Sequence, residues 1–487
     1  MKAQKESFSQ SALFVGACAA LLVCLAAEAA DFRVTPYVQY PTRTAITVMW
    51  FAQTNTTGQL RYWIQGGDTT TVSSAGTLAT NLDYCAAETN KANSQPYTLP
   101  WQHHERLTNL TEGTTYNYSV TQNGTTYSKH FKTAPDKYSP LRFIYCNDPE
   151  TEPESTGAKV NWPLVADGDS RLYFIDQTTG YASNLVTIAR RHPDLLVIAG
   201  DLPEYGGEQR DWDEFWRHNA GSLNDLAGCT PIVAALGNHC YGAGDRNTAN
   251  GGFSQPASEQ AVGKWLTYFD NPTNGAGNAA QQERFYRLDY GPASIIVLDT
   301  NNGDDSDITK DTNLYLKRAD GCQAPDFNPG SVQYQWLERQ LADTQTNSLF
   351  TFVVSHHIPF SVGYHNRTNT ANFSEPYSGT TTRVLTNLLM RYGVDAWLCG
   401  HDEICEHSQV SGREIGPRGN WTNAYKLHVF DTGSAGDGLR GVGQVTNAWE
   451  TFRAHVNAPE MYDASGILTN GGKHYGHMEI NIGPNAQ

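Results

Sequence analysis

Two different rhythms of apolar residues divide the chain. From Phe32 to about Pro135 apolar and polar positions alternate, as in Ile46, Val48 and Trp50, and again in Tyr116, Tyr118 and Val120. A period of two sends successive side chains to opposite faces, so these runs predict half-buried strands. Gly66-Gly67, Glu112-Gly113 and Asn123-Gly124 fall between them, where turns are needed. Leu110 to Tyr116 has the spacing of a tyrosine corner, in which a Tyr ring closes a sandwich. An antiparallel β-sandwich is therefore expected over 30–135. His103 and His104 adjoin in a strand-like stretch, so their rings should face opposite ways.

After Pro135-Asp136 the rhythm changes. Continuous apolar runs appear at 143–146, 195–199, 232–236, 295–298, 350–354, 396–399 and 427–430, with helical spacing at 185–191, 212–217, 334–341 and 384–392. Strands alternating with helices predict a layered α/β domain, taken here as 138–487. The stretches 149–183, 240–257 and 300–330 are rich in Gly, Asn, Asp and Thr and read as long loops.

The first residues read as an address. Lys2 and Lys5 precede the apolar stretch Ala12–Ala27, and Ala27-Glu28-Ala29 supplies a small-x-small cleavage pattern. Residues 1–29 are expected to be a signal peptide and the protein to be secreted or periplasmic. Cys18 and Cys24 would leave with it. Seven cysteines remain, so at least one is unpaired within the chain. Cys240 and Cys405 stand either as a disulfide or as buried thiols.

Composition narrows the partners. Hydrophobic residues make up 39% of the chain, enough for a large core and too much for global disorder. The formal net charge of −16 repels a polyphosphate backbone, so nucleic acid is not an expected partner; nor is a membrane, because the apolar run 12–27 is short for a spanning helix and no second candidate follows. Small anions stay open as substrates. The oligomeric state is not legible.

The chemistry sits where the apolar strands end. Asp148 follows the run 143–146, Asp201 follows 195–199, and Asn238-His239 follows 232–236. His356 and His357 follow 350–354, and His401-Asp402-Glu403 follows 396–399. Open α/β sheets bind ligands beyond the carboxyl ends of their strands. Five strands each delivering a carboxylate, amide or imidazole to that edge point to a metal centre.

These residues resemble the metallophosphoesterase (calcineurin-like phosphoesterase) superfamily, most closely its purple acid phosphatase branch, which carries an N-terminal fibronectin type III-like domain. The resemblance rests on Asp148-Pro-Glu150, Gly200-Asp-Leu-Pro-Glu-Tyr205, Gly237-Asn-His-Cys240, Val353-Val-Ser-His356 and Gly400-His-Asp-Glu403. It implies an all-β sandwich followed by a four-layer α/β domain, a β-sandwich flanked by helices. It also implies a hydrolase of phosphoric esters in which two metal ions activate a hydroxide, acting on a small phosphate ester.

By that resemblance Asp201 bridges the two ions, and Asn238, His356 and His401 complete the second site. His239 and His365 serve the phosphoryl group or the leaving oxygen. The first site departs from the family pattern. Asp148 and Asp201 are kept, but Glu403 stands where the motif ends in His, Glu204 takes the place of the ligand Tyr with Tyr205 one residue late, and Glu150 adds a carboxylate. The first site is thus expected to take Fe, Mn or another hard ion, and the second Zn, Mn or Fe. A phosphodiesterase of the same superfamily, or a binding protein with a degenerate single-metal site, are the alternatives.

Overall fold

The computed structural model describes residues 31–85, 88, 97–155, 158–163, 170–175, 177–242, 255–277, 279–301, 324–363, 381–411, 413–416, 419–422, 426–436, 450–453, 461–462, 464, 468–470 and 475–484. The expected signal segment 1–29, Cys322 and His365 lie outside them.

The alternating N-terminal pattern folds as two four-stranded sheets. One takes the order β1-β2-β6-β5 and the other β4-β3-β7-β8, from β1 (Phe32–Gln39), β2 (Ile46–Ala52), β3 (Gly58–Trp63), β4 (Thr70–Ser74), β5 (Thr77–Leu78), β6 (Trp101–Leu107), β7 (Thr115–Gln122) and β8 (Thr125–Lys132). All pairings in them are antiparallel. Trp50, Leu60, Tyr118, Val120 and Phe131 fill the space between the sheets. The tyrosine corner forms: Tyr116 Oη accepts the Thr111 N–H at 2.8 Å. His103 is buried and stacked on Trp50, whereas His104 faces outward, as the strand period requires.

The C-terminal part is layered. β9 (Leu141–Cys146), β12 (Leu195–Ile198), β13 (Ile232–Ala234) and β25 (Met478–Ile482) form one sheet in the order β13-β12-β9-β25. A seven-stranded sheet runs β14-β15-β16-β17-β21-β18-β22, from β14 (Tyr286–Tyr290), β15 (Ala293–Val297), β16 (Phe350–His357), β17 (Ala396–Gly400), β18 (Cys405–Val410), β21 (Leu427–Thr432) and β22 (Glu450–Arg453). The central strands in each sheet are parallel and buried on both faces, which explains their unbroken apolar runs. The sheets meet through contacts such as Phe143 edge-on to Phe352, centroids 5.1 Å apart.

Helices cover the outer faces. α1 (Gln177–Ala189), α2 (Gln209–Asn219) and α3 (Gln255–Tyr268) contribute Leu185, Trp212, Phe215, Trp216 and Trp265 to the core of the smaller sheet. α4 (Val332–Asn347) and α5 (Thr386–Arg391) place Trp336, Leu341 and Leu389 on the larger. Two-stranded pairs β10 (Ala158–Pro163) with β11 (Ser170–Ile175), β19 (Arg413–Gly416) with β20 (Gly419–Thr422), and β23 (Met461–Tyr462) with β24 (Leu468–Asn470) account for the other strands among the described residues. The stretch 149–183 is thus not the long loop its composition suggests. It holds β10, β11 and the start of α1; Val160, Trp162, Leu172, Tyr173 and Phe174 are the strand formers in an otherwise loop-like composition.

The sandwich and the layered part share a core. The Tyr37 ring packs tilted against Trp216, centroids 4.3 Å apart, and its hydroxyl donates to the Tyr268 carbonyl at 2.8 Å. Each such fully buried aromatic contributes about 2 kcal/mol of burial, so the two parts pack as one body along α2 and α3. No helix among the described residues is long and apolar enough to cross a membrane.

Candidate metal centre

The parallel strands of both sheets end on one edge, and each turns sharply as it leaves. Asp148, Glu150, Asp201, His401 and Glu403 all have positive φ, between 38° and 79°. That region costs a non-glycine residue about 1 kcal/mol or more, so it persists where the surroundings fix it. The turns swing these side chains back over the strand ends. Gly200, at φ 102°, lies against the His356 ring, and a Cβ on Gly237 would overlap the Asp201 carboxylate. Both glycines are set by the closeness of the ligand-type groups.

Four donor atoms meet at the seam between the sheets. His356 Nε2 lies 2.9 Å from Asp201 Oδ2, 2.9 Å from Asn238 Oδ1 and 3.1 Å from His401 Nδ1. Ligands held ~2.1 Å from one cation at right angles lie ~3 Å apart, so this spacing fits a shared ion. His356 Nδ1 donates to the Ala199 carbonyl at 2.9 Å, which fixes the ring and aims Nε2 at the cluster.

A second set adjoins it. Oxygens of Asp148, Glu150 and Glu403 lie within 4.8 Å of one another, and all three residues are buried. Asp201 joins the two sets, since it also groups with Asp148 and His356 and, separately, with Glu150 and His239. The Asp148 carboxylate accepts the His401 N–H at 3.1 and 3.2 Å, tying the first strand end to the last. Three buried carboxylates together fit a cation, which would offset their mutual repulsion and desolvation.

The charges respond to that burial. Desolvation, followed by the Asp201 charge, pushes the Asp148 carboxyl up to about 6. For His356 burial favours the neutral ring, yet Asp201 and Asp148 outweigh it and raise its pKa to about 9. Burial also opposes ionisation of Asp201, but His356 and His239 hold its carboxyl well below the usual range.

The remaining sequence candidates are placed differently. His239 is half-buried at the rim: its N–H donates to Asp201 Oδ1 at 2.7 Å, and its Nδ1 pairs with the Glu204 carbonyl at 2.7 Å. Glu204 joins none of the carboxylate groups among the described residues; its carboxylate lies 3.7 Å from His239 Nδ1. The Tyr205 ring packs 6.2 Å from the His239 ring. Cys240 and Cys405 are not joined as a disulfide.

Three supporting residues have no role in the sequence reading: His357, named only for its place at a strand end, and Asn147 and Asp431, not named at all. His357 groups with His356 and His401, its Nδ1 paired with Thr300 Oγ1 at 3.0 Å. A register irregularity in β16 lets both adjacent histidines reach this edge, against the alternation a plain strand would give. Asn147 donates to Asp431 Oδ1 at 3.0 Å behind Asp148. Burial and then the Asp148 charge push Asp431 well above the ordinary carboxylate range. A tandem His-His was a visible signal; Asp431, inside an apolar strand, offered none.

Comparison with known proteins agrees with this architecture. Residues 144–404 match the family model described as calcineurin-like phosphoesterase, and residues 32–133 match the one described as purple acid phosphatase, N-terminal domain. An acid phosphatase of Aspergillus ficuum is 25% identical over 250 residues, spanning 42% of this chain and 38% of the fungal protein. The match thus takes in well under half of that relative's length. Purple acid phosphatase PPD1 from yellow lupin (Lupinus luteus) seeds superposes with a TM-score of 0.61 at 18% identity, covering 91% of this chain and 73% of the lupin one. PhoD gives 0.53 at 12% identity, covering 93% and 85%. At such identities the structural likeness speaks for the fold alone.

Proposed function

The chain belongs to the calcineurin-like phosphoesterase family, and from that premise we propose that it is a secreted, metal-dependent phosphomonoesterase with a dinuclear centre. The observation that carries this reading is the convergence of Asp201, Asn238, His356 and His401 beside the Asp148–Glu150–Glu403 set. Asp201, common to both, is the bridging carboxylate. Bound there, two cations would supply positive charge to the phosphoryl oxygens and lower the pKa of an attacking water.

The chain's own groups do the rest. Because Nδ1 of His239 donates to the Glu204 carbonyl, its Nε2 is left to meet the phosphoryl group or, when the ring carries protons on both nitrogens, to hand one to the leaving oxygen. His365 is proposed as a second imidazole facing the substrate. Glu204 orients His239 rather than binding metal. Residues 30–135 and 138–487 are proposed as the two domains, and export rests on the N-terminal pattern of residues 1–29.

Metal analysis of the protein purified without added metal, together with turnover of aryl phosphate mono- and diesters, tests the reading. Two ions per chain and faster monoester hydrolysis are expected. Zero ions with no turnover would overturn it in favour of a binding protein, and diester preference would reassign the substrate.

A further inference from the structure

The loop that carries Asp201 is tied to α2, and α2 is capped from outside its own domain. The N-cap position, Glu208, has extended backbone, and its side chain makes no capping bond. The first amides of a helix need an acceptor. Glu88, from the sandwich part, supplies it: Oε1 accepts the Arg210 N–H at 2.7 Å, while Oε2 accepts the Cys85 N–H at 2.7 Å. The Gln209 amide bonds the same carboxylate. Glu88 is 0% exposed, and its charge sits at the positive end of the helix dipole.

The same first turn of α2 grips the loop. Asp211 Oδ2 accepts the Tyr205 N–H at 3.1 Å, and Trp212 Nε1 donates to the Gly206 carbonyl at 2.8 Å. Thr151, beside Glu150, donates its hydroxyl to the Asp211 carbonyl at 3.2 Å. The sandwich also holds the middle and the end of the helix. Arg33 Nε pairs with Asp213 Oδ1 at 3.2 Å, and the Thr35 N–H donates to the Ala220 carbonyl at 3.1 Å.

We infer that Glu88 is a positioning residue for the metal loop: by capping α2 from the neighbouring domain it fixes the turn that presents Asp201 and the backbone that abuts Glu150. The sandwich is then part of the catalytic apparatus and not an appendage. This takes from the functional reading only that Asp201 and Glu150 bind the ions.

Hydrogen–deuterium exchange on the full chain tests it without substrate. In Glu88→Ala the amides of 201–210 should exchange about tenfold faster, the usual consequence of losing a helix cap. Glu88→Gln, which keeps one acceptor oxygen and loses the charge, should lie between. Arg43→Ala, which breaks a surface pair with Glu112 inside the sandwich, should leave the loop unchanged. The metal dissociation constant should rise in step with loop exchange, and kcat should fall with KM nearly constant. Should the alanine variant not fold, the glutamine variant decides. Folded Glu88→Gln with wild-type loop exchange and wild-type metal affinity would overturn the inference, even if its melting temperature dropped. A wild-type protein that turned over no phosphate ester would count against the proposed function, while loop exchange would still judge Glu88.

Discussion

His356 and Asp201 touch across two sheets: Nε2 of the first lies 2.9 Å from Oδ2 of the second, although β16 belongs to the seven-stranded sheet and β12 to the four-stranded one. An ion bound here would clasp the two layers of the domain as well as activate a substrate.

Binding to the native state alone stabilises it by about 2.7 kcal/mol when the free ion is at a hundred times its dissociation constant. A chelator should therefore lower the melting temperature of the wild-type protein. His356→Ala should lose both the bound ion and that chelator sensitivity, as should His401→Ala. Calorimetry with and without chelator checks this, and unchanged metal content in either variant would remove these residues from the centre.

Stability of the chelated protein should fall as pH rises. The folded-state pKa of His356 is raised from 6.5 to about 9 by Asp201 and Asp148 against the pull of burial. A raised folded pKa gives stability that is complete below the unfolded value and lost as pH climbs through the folded one. The loss should therefore develop between pH 6.5 and 9 and should vanish when metal replaces the proton. Affinity for the ion that His356 would hold should rise over the same range, since that ion must displace the proton. Melting curves of the chelated protein that are flat across this window would contradict the assignment.

A second pH effect belongs to the domain junction. His104 on β6 lies 3.4 Å from Asp270. The bond to Asp270, against the pull of burial, raises the His104 pKa, and despite burial the same pairing lowers Asp270. Stability from His104 is complete below its ordinary pKa and fades above it; that from Asp270 fades in acid. Because His104 is 41% exposed, the pair should give less than about 1 kcal/mol and weaken with salt. His104→Ala should flatten this small dependence without altering turnover at low pH.

His239→Ala should keep the metal and lose rate by ~10²–10⁴-fold, the usual worth of general-acid help. The loss should be greater for alkyl than for nitrophenyl esters, because nitrophenolate leaves without a proton. Equal losses on the two substrates would show that His239 only holds the phosphoryl group.

Much of this was legible because parallel strands buried on both faces write themselves as unbroken apolar runs. The ends of β9, β12, β13, β16 and β17 could be read directly, and with them Asp148, Asp201, Asn238, His356 and His401. What escaped was written in weaker ink. α3 buries Ser258 and Lys264 alongside Ala261 and Trp265, so its inner face does not look apolar. Lys264 is held by Gln209 and by the backbone of Asp83, partners that only the fold supplies. Glu88 lies far from α2 in sequence, and nothing in a lone glutamate announces a cap. His357 was visible at its strand end, but that it joins His356 and His401 depends on an irregular register that no periodicity forecasts.

Loaded with iron, the protein should not be purple. A visible band in an iron-loaded centre of this family needs a tyrosinate on ferric iron, and the motif position for that Tyr holds Glu204, whose carboxylate is turned towards His239. Tyr205 packs its ring beside His239 as well. The oxygens that do gather are those of Asp148, Glu150 and Glu403, all from residues held in left-handed turns that point them at one another. An all-oxygen set favours hard cations and gives up the imidazole that helps select zinc. After stripping, manganese or another hard ion should restore activity better than zinc alone. The iron-loaded protein should show no band that Tyr205→Phe removes, whereas Glu403→His should raise zinc affinity by bringing back a nitrogen donor. A visible band abolished by Tyr205→Phe would place that phenolate on the metal and defeat the carboxylate-rich assignment.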